Sequence, residues 1–201
     1  MKIIGLTGPS GSGKGFCYSF FEKHGIPCVD TDDVYHKLLI PPSKCVDELV
    51  ENFGDIILNG NNGISRKKLA DIVFCDNSHH KLDILNQITH KYVLEKTREI
   101  ILEYQKQNKI AVVIDAPLLF EAKFDKFCDL TIAVISDKQT RVERIMARDS
   151  LTHEAALMRI NSQNNDEFYT SQAQYTVINN TDTLNLENQL KNILTKEKII
   201  L

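Results

Sequence analysis

Residues 5 to 15 read GLTGPSGSGKG and stand between the apolar start MKII and the stretch FCYSFFEKHG. Gly8, Gly13 and Lys14 satisfy the spacing G-x-x-x-x-G-K of a loop whose backbone amides cradle phosphates. Such a loop works between a strand and a helix, where successive N–H groups and the helix dipole point at one spot. The residues on either side predict that setting, so a glycine-rich turn with no ligand is the weaker alternative. Gly8, Gly11 and Gly13 let the main chain approach oxygens that a Cβ would block. Lys14 brings a point charge for β- and γ-phosphates. One position departs from the pattern: Gly15 stands where a Ser or Thr hydroxyl would hold Mg²⁺. Glycine keeps its N–H, and Mg²⁺ commonly retains several waters beside phosphate oxygens. Phosphate binding is therefore expected to survive, with a weaker or less well placed metal.

The rest of the chain supplies a parallel sheet for that loop to leave. KIIGLT at the start, IPCVD at 26–30, IAVVID at 110–115 and LTIAVI at 130–135 are short β-branched runs that scarcely alternate, as strands covered on both faces do. YTVIN at 175–179 is a fifth, and a last helix is expected over about 184–194. Two stretches break the alternation. Residues from about 34 to 108 carry several helical patterns; in KLDILNQITHKYV, Leu82, Leu85, Ile88 and Tyr92 recur at spacings of three and four. His79 and His80 are expected at a helix start. A polar, helical segment follows from about 149 to 173. This is the layout of a nucleotide-type kinase, an α/β fold of three layers, α/β/α, around a five-stranded parallel sheet. The expected parts are a core of about 1–33, 109–140 and 174–201, a helical insert of about 34–108 and a small lid of about 141–173. A chain of 201 residues with 42% hydrophobic content fits one such domain.

Bulk properties narrow the partners. A net charge of −3 lacks the basic face a general nucleic-acid grip requires. The five cysteines are scattered, with no C-x-x-C pair, so reduced thiols are expected rather than zinc or disulfides. No apolar stretch reaches spanning length and the N-terminal run is too short for a leader, which predicts a cytoplasmic protein with no membrane association. No obligatory protein partner is indicated.

Transfer of a phosphoryl group to an alcohol needs a carboxylate to orient the hydroxyl and take its proton. VDTDDVYHKLL places Asp30 and Asp32 at the mouth of the second strand. Asp32 is the candidate base, with Asp30 or Asp33 as bystanders or metal partners; helix capping is the ordinary alternative for an aspartate here. IAVVIDAPLLFE closes an apolar run with Asp115, either a carboxylate that holds a metal-bound water or simply a strand ending in a turn acid. In SDKQTRVERIMAR, Ser136 and Gln139 have capping-box spacing. Arg141, Arg144 and Arg148 share one helical face, which calls for solvent or an anion. Arg159 and Gln163 repeat the theme one turn apart. His36 and His90 lack partners at ligand spacing, so packing or a hydrogen bond is expected of them.

The ordered set GLTGxxGSGKx, VDxDxxxH, NGxISRxxLxxxVF, ITHxxV, DAPLLFE and RxxRxxxRDxLT…RIxxQ, ending in AQYTVINN, resembles the dephospho-CoA kinases over nearly the whole chain. The resemblance implies ATP-dependent phosphorylation of the ribose 3′-hydroxyl of dephospho-CoA, with Mg²⁺. It implies an ATP loop of Gly11, Ser12, Gly13, Lys14, Gly15 and Phe16, with Gly8 at its start, and lid arginines Arg144, Arg148 and Arg159 on the nucleotide. Lys14, Arg144 and Arg148 would join Asp32 in catalysis. Asp32, His36, Arg66, Leu69, Pro117, Leu118 and Glu121 would serve the acceptor, and Asp32 and Asp115 the metal, through water. The sequence departs from the family pattern at Pro9, Ser10, Gly15, Lys91 and Gln174; of these, Gly15 alone touches the chemistry. Two alternatives stay open on these grounds: a kinase for another acceptor, such as a nucleoside monophosphate, and an ATP-binding regulator with weakened catalysis.

Overall fold

The computed structural model describes residues 1–75, 80–180 and 182–199. In chain order its elements are β1 Lys2–Thr7, α1 Lys14–Lys23, β2 Cys28–Asp30, α2 Thr31–Leu38, α3 Lys44–Phe53, α4 Arg66–Val73, α5 His80–Lys106, β3 Ala111–Asp115, β4 Leu130–Ile135, α6 Lys138–Asp149, α7 His153–Asn161, α8 Asp166–Thr170, β5 Tyr175–Ile178 and α9 Thr183–Lys196. His80 opens α5 as expected, whereas His79 lies outside the described residues. Backbone packing divides the chain into two compact units, Met1–Val29 with Glu103–Leu201, and Asp30–Leu102.

The five predicted strands form one sheet in the order β2-β3-β1-β4-β5. β1 runs parallel to both β3 and β4, and β4 parallel to β5. Parallel neighbours need long crossovers, which is why helices fill the sequence between them. The register sets Leu6 beside Asp115 and Thr7 beside Ala133, so the ends of β1, β3 and β4 emerge at one edge. This edge is where the glycine loop leaves β1.

One face of the sheet is covered by α1 and α9. Phe20, Phe21, Leu186 and Leu190 meet Ile4, Leu6, Val113, Ile132, Val134 and Val177 there. Phe21 is fully buried, so truncating it to Ala would cost about 3–5 kcal/mol. Asp182 caps α9 by accepting from the Asn185 N–H at 2.7 Å, which starts the helix just ahead of the predicted apolar run. On the opposite face β1 is crossed closely. A Cβ at Gly5 would lie 2.8 Å from Cys128 Sγ and 2.9 Å from Leu119 Cδ2, so only glycine lets that segment seat. Val142, Ile145, Ala156 and Ile160 give the α6–α7 hairpin a small core of its own.

The second unit is helical and holds a separate core of Leu39, Cys45, Leu49, Ile57, Leu69 and Ile88. Leu82, Leu85 and Tyr92 of α5 pack against it, as their spacing predicts. Lys91, one of the departures from the family pattern, reaches Glu48 Oε2 at 2.7 Å, and Tyr92 donates to the same oxygen at 2.6 Å. Among the described residues no helix is long and apolar enough to cross a membrane, and no group of three or more His, Cys, Asp or Glu could hold a metal. The cysteines are free thiols. Burial pushes Cys17 and Cys128 up to about 12 and Cys45 to about 11, and raises Cys28 as well. Cys75 is exposed.

Candidate active site

The glycine loop joins β1 to α1, and its backbone explains its composition. Gly13 is the residue before α1 and has φ 94°. A Cβ on it would lie 2.0 Å from Asn179 Nδ2. Gly8 has φ 143°, and a Cβ there would lie 2.1 Å from the Val134 carbonyl oxygen. Both positions exclude a side chain twice over, by strain and by collision. Gly15 differs: nothing lies within 4 Å of its Cβ position, and it sits within α1 at ordinary helical geometry. Its lack of a hydroxyl is therefore not forced by the fold. Phe16 packs against the core beneath α1, and its N–H donates to the Gly13 carbonyl at 3.0 Å.

The loop is held from behind by residues far away in sequence. Arg141 Nε donates to the Ser10 carbonyl at 3.0 Å, and Arg144 Nη1 reaches the Gly11 and Ser12 carbonyls, each at 3.3 Å. Asn179 Nδ2 donates to the Ser12 carbonyl at 2.8 Å. Gln163 Oε1 accepts from the Ser10 N–H at 2.9 Å, so the unusual Ser10 presents both backbone groups to α6 and its neighbours. Two local expectations give way to this network. Ser136 and Gln139 do not form a capping box, because the Ser136 hydroxyl donates to the Asn179 carbonyl at 2.8 Å and Gln139 pairs with Glu143. The arginine stripe is not uniform. Arg141 is buried, its Nη1 3.2 Å from Asp166 Oδ1, and it serves the protein's own backbone and the start of α8. Asn179 carried a signal of its own, closing the AQYTVINN tail, but its role follows only from β4 and β5 lying side by side.

Lys14 and Asp115 meet at the sheet edge, Nζ to Oδ1 at 3.4 Å, both largely shielded from solvent. This joins the cation of the glycine loop to the acid that closes β3. Further out, the Arg148 guanidinium grips Asp149 with two bonds of 2.8 and 2.9 Å, and Arg159 bonds the same carboxylate. The hydrogen bonds from Arg148 hold the Asp149 carboxyl down at about 2, with Arg159 assisting. Asn164 donates to Glu121 Oε1 at 2.8 Å, tying the turn between α7 and α8 to the segment after β3, where Leu118 is exposed. Pro117 in that segment accepts from the Thr7 hydroxyl at 3.3 Å.

In the helical unit, Asp30 is the cap of α2, its carboxylate accepting from the N–H groups of Asp32 and Asp33 at 2.8 and 3.3 Å. Capping therefore falls to Asp30, leaving the Asp32 side chain exposed in the first turn. Asp33 is engaged by Lys37 at 2.7 Å. His36 follows Asp32 by one turn, on the same face, and its Nε2 accepts from Arg66 Nη1 at 3.0 Å. Leu69 is 2% exposed inside the helical core, so it supplies packing for α4 rather than a polar contact.

A family model described as dephospho-CoA kinase matches residues 2–185. The dephospho-CoA kinase of Lactobacillus johnsonii is 35% identical over 192 residues, 96% of either chain. That of Listeria monocytogenes is 37% identical over 183 residues, 91% of this chain and 90% of its own. A crystal structure of a Thermus thermophilus protein superposes with a TM-score of 0.79 at 28% identity, covering 97% of each chain.

Proposed function

This chain belongs to the dephospho-CoA kinase family, and from that membership we propose how its residues divide the work. The enzyme phosphorylates the ribose 3′-hydroxyl of dephospho-CoA with ATP, giving coenzyme A and ADP; a different acceptor or a purely regulatory role is not favoured. In the reaction the 3′-oxygen forms a bond to the γ-phosphorus as the bond from that phosphorus to the β,γ-bridging oxygen breaks. The hydroxyl proton passes to the base, and the bridging electron pair leaves on ADP.

The observation that carries the assignment is the Lys14–Asp115 pair at 3.4 Å beneath a loop of three positive-φ glycines. Lys14 neutralises the migrating phosphoryl group, and the loop amides hold the β-phosphate without reorganising. Arg144 contributes by fixing the loop carbonyls it bonds, while Arg148 and Arg159, paired with Asp149 at the solvent-exposed surface, are the cations that turn to the nucleotide. Asp32 takes the proton; His36, steadied by Arg66, binds the acceptor one turn away. Pro117, Leu118 and Glu121 border it. Closure of the lid excludes water as a competing acceptor.

Mg²⁺ suits the donors present. A hard cation that keeps its waters needs few protein oxygens, and Asp115 and Asp32 would each hold it through water, with no side-chain oxygen from Gly15. When bound, it offsets the charge of the β- and γ-phosphates. We place the reaction in the cytoplasm, on a small-molecule substrate. A coupled assay of ADP release with ATP and dephospho-CoA, titrated with Mg²⁺, tests the reading. ADP release that requires both dephospho-CoA and the metal supports it; ATP binding without acceptor-dependent turnover would overturn it.

A further inference from the structure

We propose that Asn179 is a positioning residue for the nucleotide, acting through the peptide that joins Ser12 to Gly13; this rests on the reading of residues 8–16 as the ATP loop. Asn179 is 8% exposed and continues the β5 ladder, its N–H donating to the Ile135 carbonyl at 2.9 Å. Its own carbonyl accepts from the Ser136 hydroxyl at 2.8 Å and from Arg144 Nη2 at 3.0 Å. With the main chain pinned, the side-chain Oδ1 accepts from Arg144 Nη2 at 3.4 Å and the Nδ2 donates to the Ser12 carbonyl at 2.8 Å.

A trans peptide is planar, so its C=O and N–H point opposite ways. Drawing the Ser12 carbonyl toward Asn179 and Arg144 therefore turns the Gly13 N–H away from them, to the side from which phosphate oxygens approach. Left unheld, that peptide would be free to flip at modest cost, since Gly13 tolerates either sign of φ. Arg144 bonds the same carbonyl at 3.3 Å but also the Gly11 carbonyl and Ser136, so the shorter, undivided bond of Asn179 sets the orientation. The close fit around Gly13, 2.0 Å from a would-be Cβ to Asn179 Nδ2, is the same arrangement seen from the loop.

Two variants test this. Asn179→Asp keeps the shape but replaces the donor by an oxygen facing the Ser12 carbonyl, and Asn179→Ala removes the group. Both are expected to weaken ATP binding by calorimetry, and raise the KM for ATP, about tenfold. The KM for dephospho-CoA should stay within about twofold and Tm within about 2–4 °C of wild type. Unchanged ATP affinity would overturn the proposal. So would a parallel rise in both KM values with a large loss of Tm, or failure of both variants to fold, since either assigns Asn179 to the scaffold alone. Absence of ATP binding by the wild-type protein would defeat the loop reading itself, and this inference with it, which separates the two failures.

Discussion

The glycine loop and the start of α2, the two regions to which the proposed chemistry is assigned, are secured in different ways. The loop is fixed by partners more than 130 residues away, Arg141, Arg144 and Asn179, all bonding its carbonyls. The α2 turn is fixed by its immediate neighbours: Asp30 caps it, and Lys37 holds Asp33. Even the link from His36 to Arg66 spans only 30 residues. On the proposed roles, the group that would meet a highly charged tail is braced across the sheet, and the one that would accept a proton from a small hydroxyl rests on a well-begun helix. Damage to the first region should therefore appear as lost ATP affinity, and damage to the second as lost turnover.

The largest effect tests the second half of that statement. Asp32→Asn is expected to lower kcat by roughly 10²–10⁴-fold while ATP affinity stays as in wild type. A matching loss of affinity, read by calorimetry, would erase the distinction between the regions. The glycines sharpen it from the other side. Gly13→Ala puts a methyl 2.0 Å from Asn179 Nδ2 at φ 94°, and ATP binding should fall by about 10-fold or more, given a strain of about 1–3 kcal/mol. Gly15→Ser enters open space; steady-state kinetics should show Mg²⁺ saturating at lower concentration, with a modest rate gain. No change with serine would mean that water already serves there as well as a hydroxyl.

The smallest effect concerns the α6–α7 hairpin, where ion pairs stand at the surface. Asp149 is depressed to about 2 from an ordinary 3.8, chiefly by hydrogen bonds from Arg148. Because the folded value is the lower one, whatever the pairing contributes is present above pH 4 and lost as pH falls from about 4 to about 2. A carboxyl titration by NMR should place Asp149 at about 2, below its ordinary 3.8, and Arg148→Ala should bring it back toward 3.8. If the variant left it unmoved, Arg148 would not be its principal partner.

Much of this was legible from the sequence because it is local. The strands announced themselves as β-branched runs, and the loop by glycines whose spacing has one backbone solution. What stayed hidden depends on juxtaposition. Ser136 has the spacing of a cap, but a buried hydroxyl takes the bond its tertiary neighbour offers, and that neighbour is Asn179 on the adjacent strand. The arginine stripe called for solvent or an anion because a helical face shows only a direction; that Arg141 and Arg144 also bond loop carbonyls emerges only in the fold. Leu69 sat in a motif with Arg66, yet one helix puts the two on different surfaces, one buried and one exposed. Asp30 and Asp32 could not be ranked by composition, and the capping bonds show that Asp30 is the one that caps α2.

Four of the five thiols are buried or half-buried and held protonated at neutral pH, while Cys75 is exposed beyond the end of α4. The native chain thus carries its own attachment point: a maleimide dye at modest excess should label this one sulfur without any engineering. A fluorophore there would report on the helical unit while acceptor is added, through a channel independent of the chemistry at the loop.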